Sequence, residues 1–327
     1  MVRNFVIIPL VLMLAAQKPV KKPDVHPDFH FGSYPWSRTG ADLMKDELSR
    51  EVIVAFAEGW SIDKISKQLK VATSDVSKAS DKLEDEKLVG RQDEYDVRPL
   101  MPVIRERDLD RMKDALRKHT QEFTKLILDN WKDIESMVDS LQGTKGIPKG
   151  RVMYETVISG ILLGGMLDAF YEDKTLMPPP RRRAKTDRYF AWLVESNAEA
   201  AGKLRRELRE SASYRVVTIG TALADEKLNP DDLRGKDTIL EDDDARKYRS
   251  FIAILSRDKL LPYFKNRRED FLKLGAQISS GHYIAFAEFF AWYYNSIANG
   301  VADALAADRR VTPPEKLYTY AVKAPQQ

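Results

Sequence analysis

The chain has 327 residues, of which 43% are hydrophobic, so it is long and apolar enough to build two domain cores. Its 53 basic and 50 acidic side chains leave a net charge of +3, which excludes a strong overall field that would draw the protein to nucleic acid or to an anionic membrane. The sequence has no cysteine, and this excludes disulfides, thiolate metal sites, cysteine catalysis and a lipoprotein anchor.

Residues 1–17 follow the order of an export signal. One positive charge, Arg3, precedes an apolar run from Phe5 to Ala16, and the chain turns polar at Gln17. The run is well short of the roughly 20 residues that span a bilayer as a helix. We therefore expect a cleaved signal, no stable transmembrane anchor, and export to the periplasm or the extracellular space. The alternative is a misassigned start with Met44 as the true first residue, which would make the protein cytoplasmic.

Residues 18–42 are rich in proline and predict an extended linker or arm rather than a helix. Its aromatic residues are expected to pack the arm onto the body of the protein: Phe29, Phe31, Tyr34 and Trp36. His26 and His30 are four residues apart, which is a spacing that metal ligands use on a helix. Because Pro27 lies between them and no acidic-histidine motif surrounds them, no metal site is predicted.

Residues 43–106 predict three helices and a pair of strands. The first helix is indicated by apolar residues at helical spacing: Met44, Leu48, Val52 and Phe56. Ser61 is a suitable cap for the second helix, and the third runs from Thr73 to Leu88. The following residues, 90–104, predict two strands joined by a turn near Asp93 and Glu94.

The stretch "ISKQLKVATSDVSKASDKLEDEKLV" carries apolar residues at Ile65, Leu69, Val71, Val76, Leu83 and Leu88. With this pattern, residues of about 44–104 resemble the winged helix-turn-helix family of bacterial transcriptional regulators. In members of that family that bind DNA, the third helix enters the major groove and the wing contacts the backbone. The resemblance then implies these DNA-contacting residues: Lys64, Lys67, Lys70, Ser74, Ser77, Lys78, Lys82 and Arg91.

The charge of the third helix argues against DNA as its partner. Residues 73–88 contain more acidic than basic side chains, and the wing adds further acidic residues around Arg91 and Arg98. Lys and Arg supply most of the nonspecific affinity for phosphate, so a recognition surface of net negative charge reads DNA poorly. We expect the winged helix to act as a scaffold or a protein-binding surface, and nucleic acid is the disfavoured partner.

Residues 107–327 are predicted to form a long helix and a helical C-terminal domain. Apolar residues spaced by threes and fours from Leu109 to Leu141 predict one helix of about 33 residues. Two interpretations of residues 107–141 remain open. They form a coiled-coil seam, through which the chain binds a second copy or another protein, or they form the backbone helix of a bundle. His119 on this helix is expected to be a partly buried structural residue rather than a catalytic one.

The next segments alternate between apolar and charged residues. Val152 to Tyr171 is nearly all apolar, but Glu155 and Asp168 interrupt it, so it predicts a buried helix rather than a membrane span. The basic patch Arg181–Arg188 predicts an exposed charged loop, with an acidic partner, phosphate or a membrane surface as the alternative. Residues 189–211 predict a helix.

The C-terminal part predicts one strand pair and several helices. Tyr214–Gly220 predicts a strand whose partner is Leu317–Val322. Between them we expect a turn at Asn229-Pro230 and helices near 245–264 and 269–277. The acidic run Glu241–Asp244 precedes a helix, so stabilisation of the helix dipole is a simpler explanation than a calcium loop.

The last predicted helix, Tyr283–Ala307, carries aromatic residues around its whole circumference, which is typical of a helix buried on several sides. It is expected to lie in the core, and secondarily to form the wall of a pocket for an apolar ligand, lined by Phe286, Phe289, Phe290, Trp292 and Tyr293. The nearest titratable groups, His282 and Glu288, are six residues apart and would not face each other on a helix.

The sequence therefore predicts a mainly α protein: an N-terminal winged helix-turn-helix, a long helix, and an α-rich C-terminal domain with a minor β-sheet. It contains no nucleophile elbow, phosphate loop, zinc-helix motif or dinucleotide fingerprint, so no cofactor is predicted. The favoured function is an exported noncatalytic binding or assembly protein. The alternative is a cytoplasmic winged-helix regulator with a ligand-sensing C-terminal domain. The third is an enzyme of unrecognised type, with His119 or His282 beside a carboxylate.

Overall fold

The computed structural model describes residues 29–91, 96–183, 187–195, 204–210, 213–221, 237–280, 284–315 and 317–324. The fold is mainly α, as predicted. The predicted turns at Asp93-Glu94 and at Asn229-Pro230, the export signal and His282 lie outside the described residues.

The chain enters the fold with a strand and a short helix, β1 (Phe29–Tyr34) and α1 (Arg38–Leu43). Phe29 and Tyr34 are buried, so this part of the predicted arm packs onto the body as expected. The helix α1 differs from the extended arm that the prolines predict. It forms because Ser37 caps it: the Ser37 hydroxyl accepts a hydrogen bond from the Gly40 amide.

Three helices and a two-stranded antiparallel sheet follow, and together they are called the N-terminal unit below. Its elements are α2 (Glu47–Ala57), α3 (Ile62–Leu69), α4 (Thr73–Asp85), β2 (Val89–Arg91) and β3 (Val97–Pro99). Ser61 caps α3 through a bond from the Lys64 amide, as predicted. Between α3 and α4, Lys70 adopts a left-handed conformation that ends α3 and turns the chain.

The predicted long helix is in fact two helices, α5 (Glu106–Asp129) and α6 (Trp131–Asp139), so the prediction of one continuous helix was wrong. The break falls at Asn130, whose side-chain amide donates to the Leu126 carbonyl at 2.8 Å. Asparagine competes in this way with the backbone bonds of a helix. The apolar spacing continues across the break because both helices face the same core. Self-association through residues 107–141 stays a prediction.

A continuous helix runs from Lys149 to Asp173, with α7 (Lys149–Tyr154) and α8 (Met166–Asp173) flanking a π-helical segment, Glu155–Gly165. Among the described helices this is the one that by length and composition could cross a membrane, and 89% of its most apolar window is buried inside the protein. The buried helix predicted at Val152–Tyr171 is therefore confirmed.

Residues 189–211 were predicted to be helical, and this was wrong. The described residues there form two strands, β5 (Phe190–Glu195) and β6 (Leu204–Glu210). β5 is buried on both faces, so its sequence is a continuous apolar run without the alternation that marks a half-exposed strand. Such a short run does not distinguish a strand from a buried helix by its period.

Two further sheets complete the fold beside the β2–β3 pair. In the first, β5 pairs antiparallel with β1 and parallel with β4 (Val103–Ile104). The second has the order β6-β7-β9-β8, with β7 (Tyr214–Thr221), β8 (Thr238–Leu240) and β9 (Leu317–Lys323). The predicted pairing of residues 214–220 with 317–322 is confirmed: Val217 lies opposite Tyr320.

The C-terminal helices also lie close to their predicted places. They are α9 (Asp242–Ile254), α10 (Leu261–Lys265), α11 (Arg268–Gln277) and α12 (Phe286–Ala307), with a π-helical segment, Leu255–Leu260, between α9 and α10. The acidic run supplies Asp242, Asp243 and Asp244 to the first turn of α9, where negative charge stabilises the helix dipole as expected.

β5 separates two hydrophobic cores. Its side chains alternate between its two faces: Ala191 and Leu193 pack into the core of the N-terminal unit, whereas Trp192 and Val194 pack into the core built by α5 to α12. The strand β5 thereby contributes side chains to both cores.

Candidate functional site

The residues implied as DNA contacts lie on the outward side of the N-terminal unit. Lys64, Lys67 and Lys70 are exposed on α3, and Ser74, Lys78 and Lys82 are exposed on α4 with Ser77 half-buried among them. Their use by DNA stays a prediction.

Arg91, at the end of β2, is bound by acidic side chains of α4. Arg91 donates from Nε to Glu84 at 2.6 Å and from Nη2 to Asp81 at 2.9 Å. The hydrogen bond to Glu84 is the main cause that raises the pKa of Arg91. Because two carboxylates of α4 already occupy this guanidinium, little of its charge is left for a phosphate.

The lysines of the same surface also have local contacts. Lys78 lies 3.7 Å from Asp75, and the ammonium group of Lys64 lies 4.5 Å above the ring of Trp60. Lys87, at the end of α4, donates to the Arg182 carbonyl at 3.1 Å. These exposed contacts are weak, but with the bound Arg91 they give several cations of this surface a partner within the protein.

Arg183 joins the N-terminal unit to α12. Arg181, Arg182 and Arg188 are exposed, as predicted for this segment, and Arg183 is the exception among its described arginines. Its side chain is fully buried. It donates from Nε to the Tyr189 carbonyl at 2.9 Å, and from Nη2 to Glu288 at 2.8 Å. Its Nη1 donates to the Lys87 carbonyl. A buried guanidinium is tolerated when its donors are used and its charge is paired, and both conditions hold here.

Glu288 and Tyr189 extend this junction. Glu288 is buried on α12, accepts a second bond from the Ala191 amide of β5, and lies 3.3 Å from Arg181. Tyr189 donates its hydroxyl to Glu86 at the end of α4, at 2.6 Å. Burial raises the pKa of Glu86, and the hydrogen bond from Tyr189 partly offsets that rise. The end of α4 is thus fixed to the sheet and to α12.

Sequence reasoning missed this junction. Three consecutive arginines favour an exposed loop, and the partner of Arg183 is 105 residues away in the sequence, at Glu288. The available signal was Glu288 itself, a carboxylate in an otherwise aromatic helix, because such a group needs a buried cation.

The predicted pocket residues lie in the core, on α12. Phe289, Phe290, Trp292 and Tyr293 are buried, and Phe286 is half-buried. Their rings pack against one another and against neighbouring aromatic residues, including Phe271, whose ring centre lies 5.3 Å from that of Phe290. The prediction of a core helix is therefore confirmed, and the apolar ligand pocket stays a prediction.

His119 lies in the same core, against a tyrosine and a carboxylate. Its Nδ1 lies 2.7 Å from the Tyr263 hydroxyl, which also donates to Glu122 at 3.0 Å. Burial lowers the pKa of His119, and the nearby Glu122 opposes that shift. The histidine is buried, and its position between α5 and α10 fits the structural role expected for it. His30 lies on β1, and His26 lies outside the described residues.

Within the part of the chain that the structure describes, no three side chains of the metal-binding types lie close enough together to hold a metal ion. Comparison of the chain with known protein families, with curated proteins and with solved structures found no match.

Proposed function

We propose that this protein is an exported, noncatalytic binding or assembly protein, in which residues 43–106 form a winged helix-turn-helix used as a scaffold or protein-binding surface rather than as a DNA reader. The order of α2, α3, α4, β2 and β3 supports the winged-helix assignment. The apolar run and polar switch of residues 1–17 support export.

One observation carries the proposal: Asp81 and Glu84 of α4 hold Arg91. A recognition helix that reads DNA presents its polar side chains to base edges and leaves the cations of the wing to the phosphates. Here Asp81 and Glu84 of the helix accept hydrogen bonds from the Arg91 guanidinium beside it, so each group already has its partner within the protein. A protein partner places no demand on that charge, whereas DNA would have to displace the pair and would be repelled by both carboxylates.

The attachment of the N-terminal unit supports an assembly role. Arg183 and Tyr189 hold the end of α4 by hydrogen bonds to Lys87 and Glu86, and Arg183 is also bonded to Glu288 of α12. A unit fixed in this way presents a surface of constant orientation relative to α12. Preorganised surfaces lose less entropy on binding than mobile ones.

The DNA question is tested with a labelled duplex of random sequence and fluorescence anisotropy. Nonspecific DNA binders have dissociation constants of about 10⁻⁴ to 10⁻⁶ M at physiological salt and bind more tightly at low salt. We expect no saturable binding by the wild-type protein at low salt. In the double variant Asp81→Asn/Glu84→Gln, which frees Arg91 and removes two negative charges, we expect binding that weakens as salt is raised.

The matched control is Asp114→Asn/Asp129→Asn, which removes two exposed carboxylates from α5 and changes the net charge equally. It should bind no more DNA than the wild type. Salt-sensitive binding by the wild-type protein would overturn the proposal. So would an equal gain in both double variants, because it would show that net charge rather than the α4 face decides.

Export is tested by mass spectrometry of the native protein from fractionated cells. A mature chain that begins near Gln17 and lies outside the cytoplasm supports the proposal. An unprocessed or shorter cytoplasmic chain favours the second candidate, a winged-helix regulator with a ligand-sensing C-terminal domain. The observation in favour of that candidate is the Arg183–Glu288 bond, because it connects the end of α4 to the helix that carries the predicted pocket.

A further inference from the structure

Arg206 lies on the face of the four-stranded sheet that packs against the rest of the C-terminal half. Arg206 of β6 is opposite Ile219 of β7, two residues along from Val217, which is opposite Tyr320 of β9. Residues opposite each other, and residues two apart on one strand, share a face of a sheet. Because Val217, Ile219 and Tyr320 are buried, this face is turned to the core. Arg206 is therefore a charged residue on an inward face.

The π-helical segment Glu155–Gly165 covers this face and has glycines where Arg206 and its neighbours approach. A Cβ atom on Gly164 would lie 3.3 Å from Nη2 of Arg206, and one on Gly160 would lie 2.3 Å from the hydroxyl oxygen of Tyr248. A side chain at Gly160 would therefore displace the Tyr248 hydroxyl. π-helical segments inside α-helices are frequent at functional sites, and this one brings two polar groups against its backbone.

The Arg206 guanidinium makes no hydrogen bond and no salt bridge with any residue in the described ranges. Its Nε is shielded from solvent and has no partner. Asp168, Tyr34 and Tyr320 interact with it electrostatically, but none of them lies in hydrogen-bonding position. A shielded guanidinium donor without an acceptor costs free energy, so the fold retains this group at a cost to its own stability.

Tyr248 of α9 adds a second unused donor. Its hydroxyl is buried and has no hydrogen-bond partner among the described residues. It interacts with the nearby Tyr320 hydroxyl, and this interaction adds to the rise in the pKa of Tyr248. Burial raises the pKa of Tyr248 well above its ordinary value. The hydroxyl therefore keeps its proton at neutral pH and can donate a hydrogen bond to a ligand.

Several other buried polar groups around the π-helical segment do have partners. Tyr34 and Tyr294 donate to the carbonyls of Leu163 and Leu162, and Ser159 is bonded to Tyr320 at 2.8 Å. Glu155, further along the segment, is bonded to Thr238 and to Arg151. Two more buried hydroxyls nearby have no partner, those of Tyr171 and Ser256. The groups without a hydrogen-bond partner here include a guanidinium and hydroxyls, which are donors that an anion requires, and they lie near one carboxylate, Asp168, that interacts electrostatically with Arg206.

We propose that Arg206 and Tyr248 form a receptor for the oxyanion of a small ligand, a carboxylate or a phosphate group. The planar guanidinium offers paired N–H donors that match two oxygens of such a group. The hydroxyl of Tyr248 supplies a further donor, and Gly160 and Gly164 leave room for the two donor groups against the helix backbone. This inference does not depend on what the N-terminal unit binds.

The test is an NMR titration of the full-length protein, which follows the Nε–H signals of its arginines. Sodium acetate and inorganic phosphate are added in separate arms at constant ionic strength set with chloride. We expect one Nε–H signal to shift and saturate, and this signal to be absent in Arg206→Gln. Saturation in the acetate arm identifies a carboxylate site, and saturation in the phosphate arm identifies a phosphate site.

Tyr248→Phe is the second variant, because it keeps the ring and removes only the hydroxyl. We expect it to weaken the binding of the saturating anion by about fivefold to tenfold, the effect of one lost hydrogen bond. Arg117→Gln, which removes an exposed arginine of α5, is the matched control and should leave the affinity unchanged. A shift that never saturates in either arm overturns the proposal. Saturation that persists unchanged in both Arg206→Gln and Tyr248→Phe overturns it as well.

Discussion

Arg183 is fully buried and Arg206 is half-buried with its Nε shielded from solvent, and the two arginines differ in what surrounds the guanidinium. Arg183 uses its three nitrogens on two carbonyls and on Glu288. Arg206 has no hydrogen bond or salt bridge in the described part of the chain, and its Nε is shielded from solvent. Burial alone therefore does not tell a structural arginine from a binding one. The difference lies in whether the protein itself supplies the acceptors.

The groups around the two arginines also differ in whether they have hydrogen-bond partners. Around Arg183 the neighbouring carboxylates, Glu288 and Glu86, also have their partners, so this junction fixes two halves of the protein. Around Arg206 the nearby hydroxyls of Tyr248 and Ser256 lack partners too. A region whose polar groups all have hydrogen-bond partners contributes to stability, whereas a region with several unused hydrogen-bond donors is suited to bind a ligand. The following predictions test that division.

The largest effect is expected for Arg183→Met. The variant keeps much of the apolar stem but leaves Glu288 buried without its closest cation. Removing one partner of a buried ion pair costs about 3–5 kcal/mol, and we expect the lower part of that range because Arg181 still lies 3.3 Å from Glu288. Urea unfolding followed by circular dichroism measures the change.

The control for this variant is Arg117→Met, whose arginine is exposed and pairs with Asp114 on the same helix. It should change the free energy of unfolding by no more than about 0.5 kcal/mol. A similar small change in Arg183→Met would contradict the structural role of the junction.

A smaller effect is expected for Tyr189→Phe, which leaves the buried Glu86 without its hydroxyl donor. A buried acceptor that loses its partner costs about 1–3 kcal/mol. The protein offers a matched surface bond in Tyr214, whose hydroxyl donates to Glu241 at 2.5 Å in an exposed setting. Urea unfolding should show a clear loss for Tyr189→Phe and a smaller one for Tyr214→Phe. Equal losses would mean that burial adds nothing to the Tyr189–Glu86 bond.

The sequence predicts the helices and strands better than it predicts the role of Arg183 or of Arg206. The helices of the N-terminal unit follow from local signals: apolar spacing along α2 and the Ser61 cap on α3. β5 was mistaken for a helix because its two faces enter two different cores, which erases the alternation of a strand. In β6 the apolar alternation of a strand is missing, because the charged Arg206 stands between Leu204 and Leu208 on the same face of the sheet.

The roles of the arginines could not be predicted because their neighbours come from distant parts of the chain. Glu288 is 105 residues from Arg183, and Gly164 and Tyr248 approach the Arg206 region from two other elements. A sequence shows that a residue is charged. It does not show whether folding brings an acceptor to it, and that decides whether the charge is structural or available.

His119 gives a test by pH of a buried group that does have a partner. Burial lowers its pKa below the ordinary value near 6.5, so the neutral form is favoured in the folded state. Its contribution to stability is therefore complete above the unfolded-state pKa and is lost as the pH falls through the lower folded-state pKa. His119→Gln keeps a polar group beside Tyr263 but does not titrate. Between pH 7.5 and pH 5, about the range in which histidine titrates, urea unfolding should show a steeper loss for the wild type than for the variant. Parallel curves would contradict the pKa shift.

The smallest effect is expected for Arg206→Gln, and here a small effect is the informative result. The guanidinium forms no hydrogen bond or salt bridge in the described part of the chain that the variant could break, and its removal relieves the cost of an Nε donor that is shielded from solvent without an acceptor. The free energy of unfolding should therefore change by less than about 1 kcal/mol in either direction, whereas the NMR titration loses its saturating signal. A loss as large as that of Arg183→Met would show that Arg206 is held by the fold in the same way as Arg183. In that case the two arginines would no longer differ, and the oxyanion receptor would have no unused guanidinium to offer.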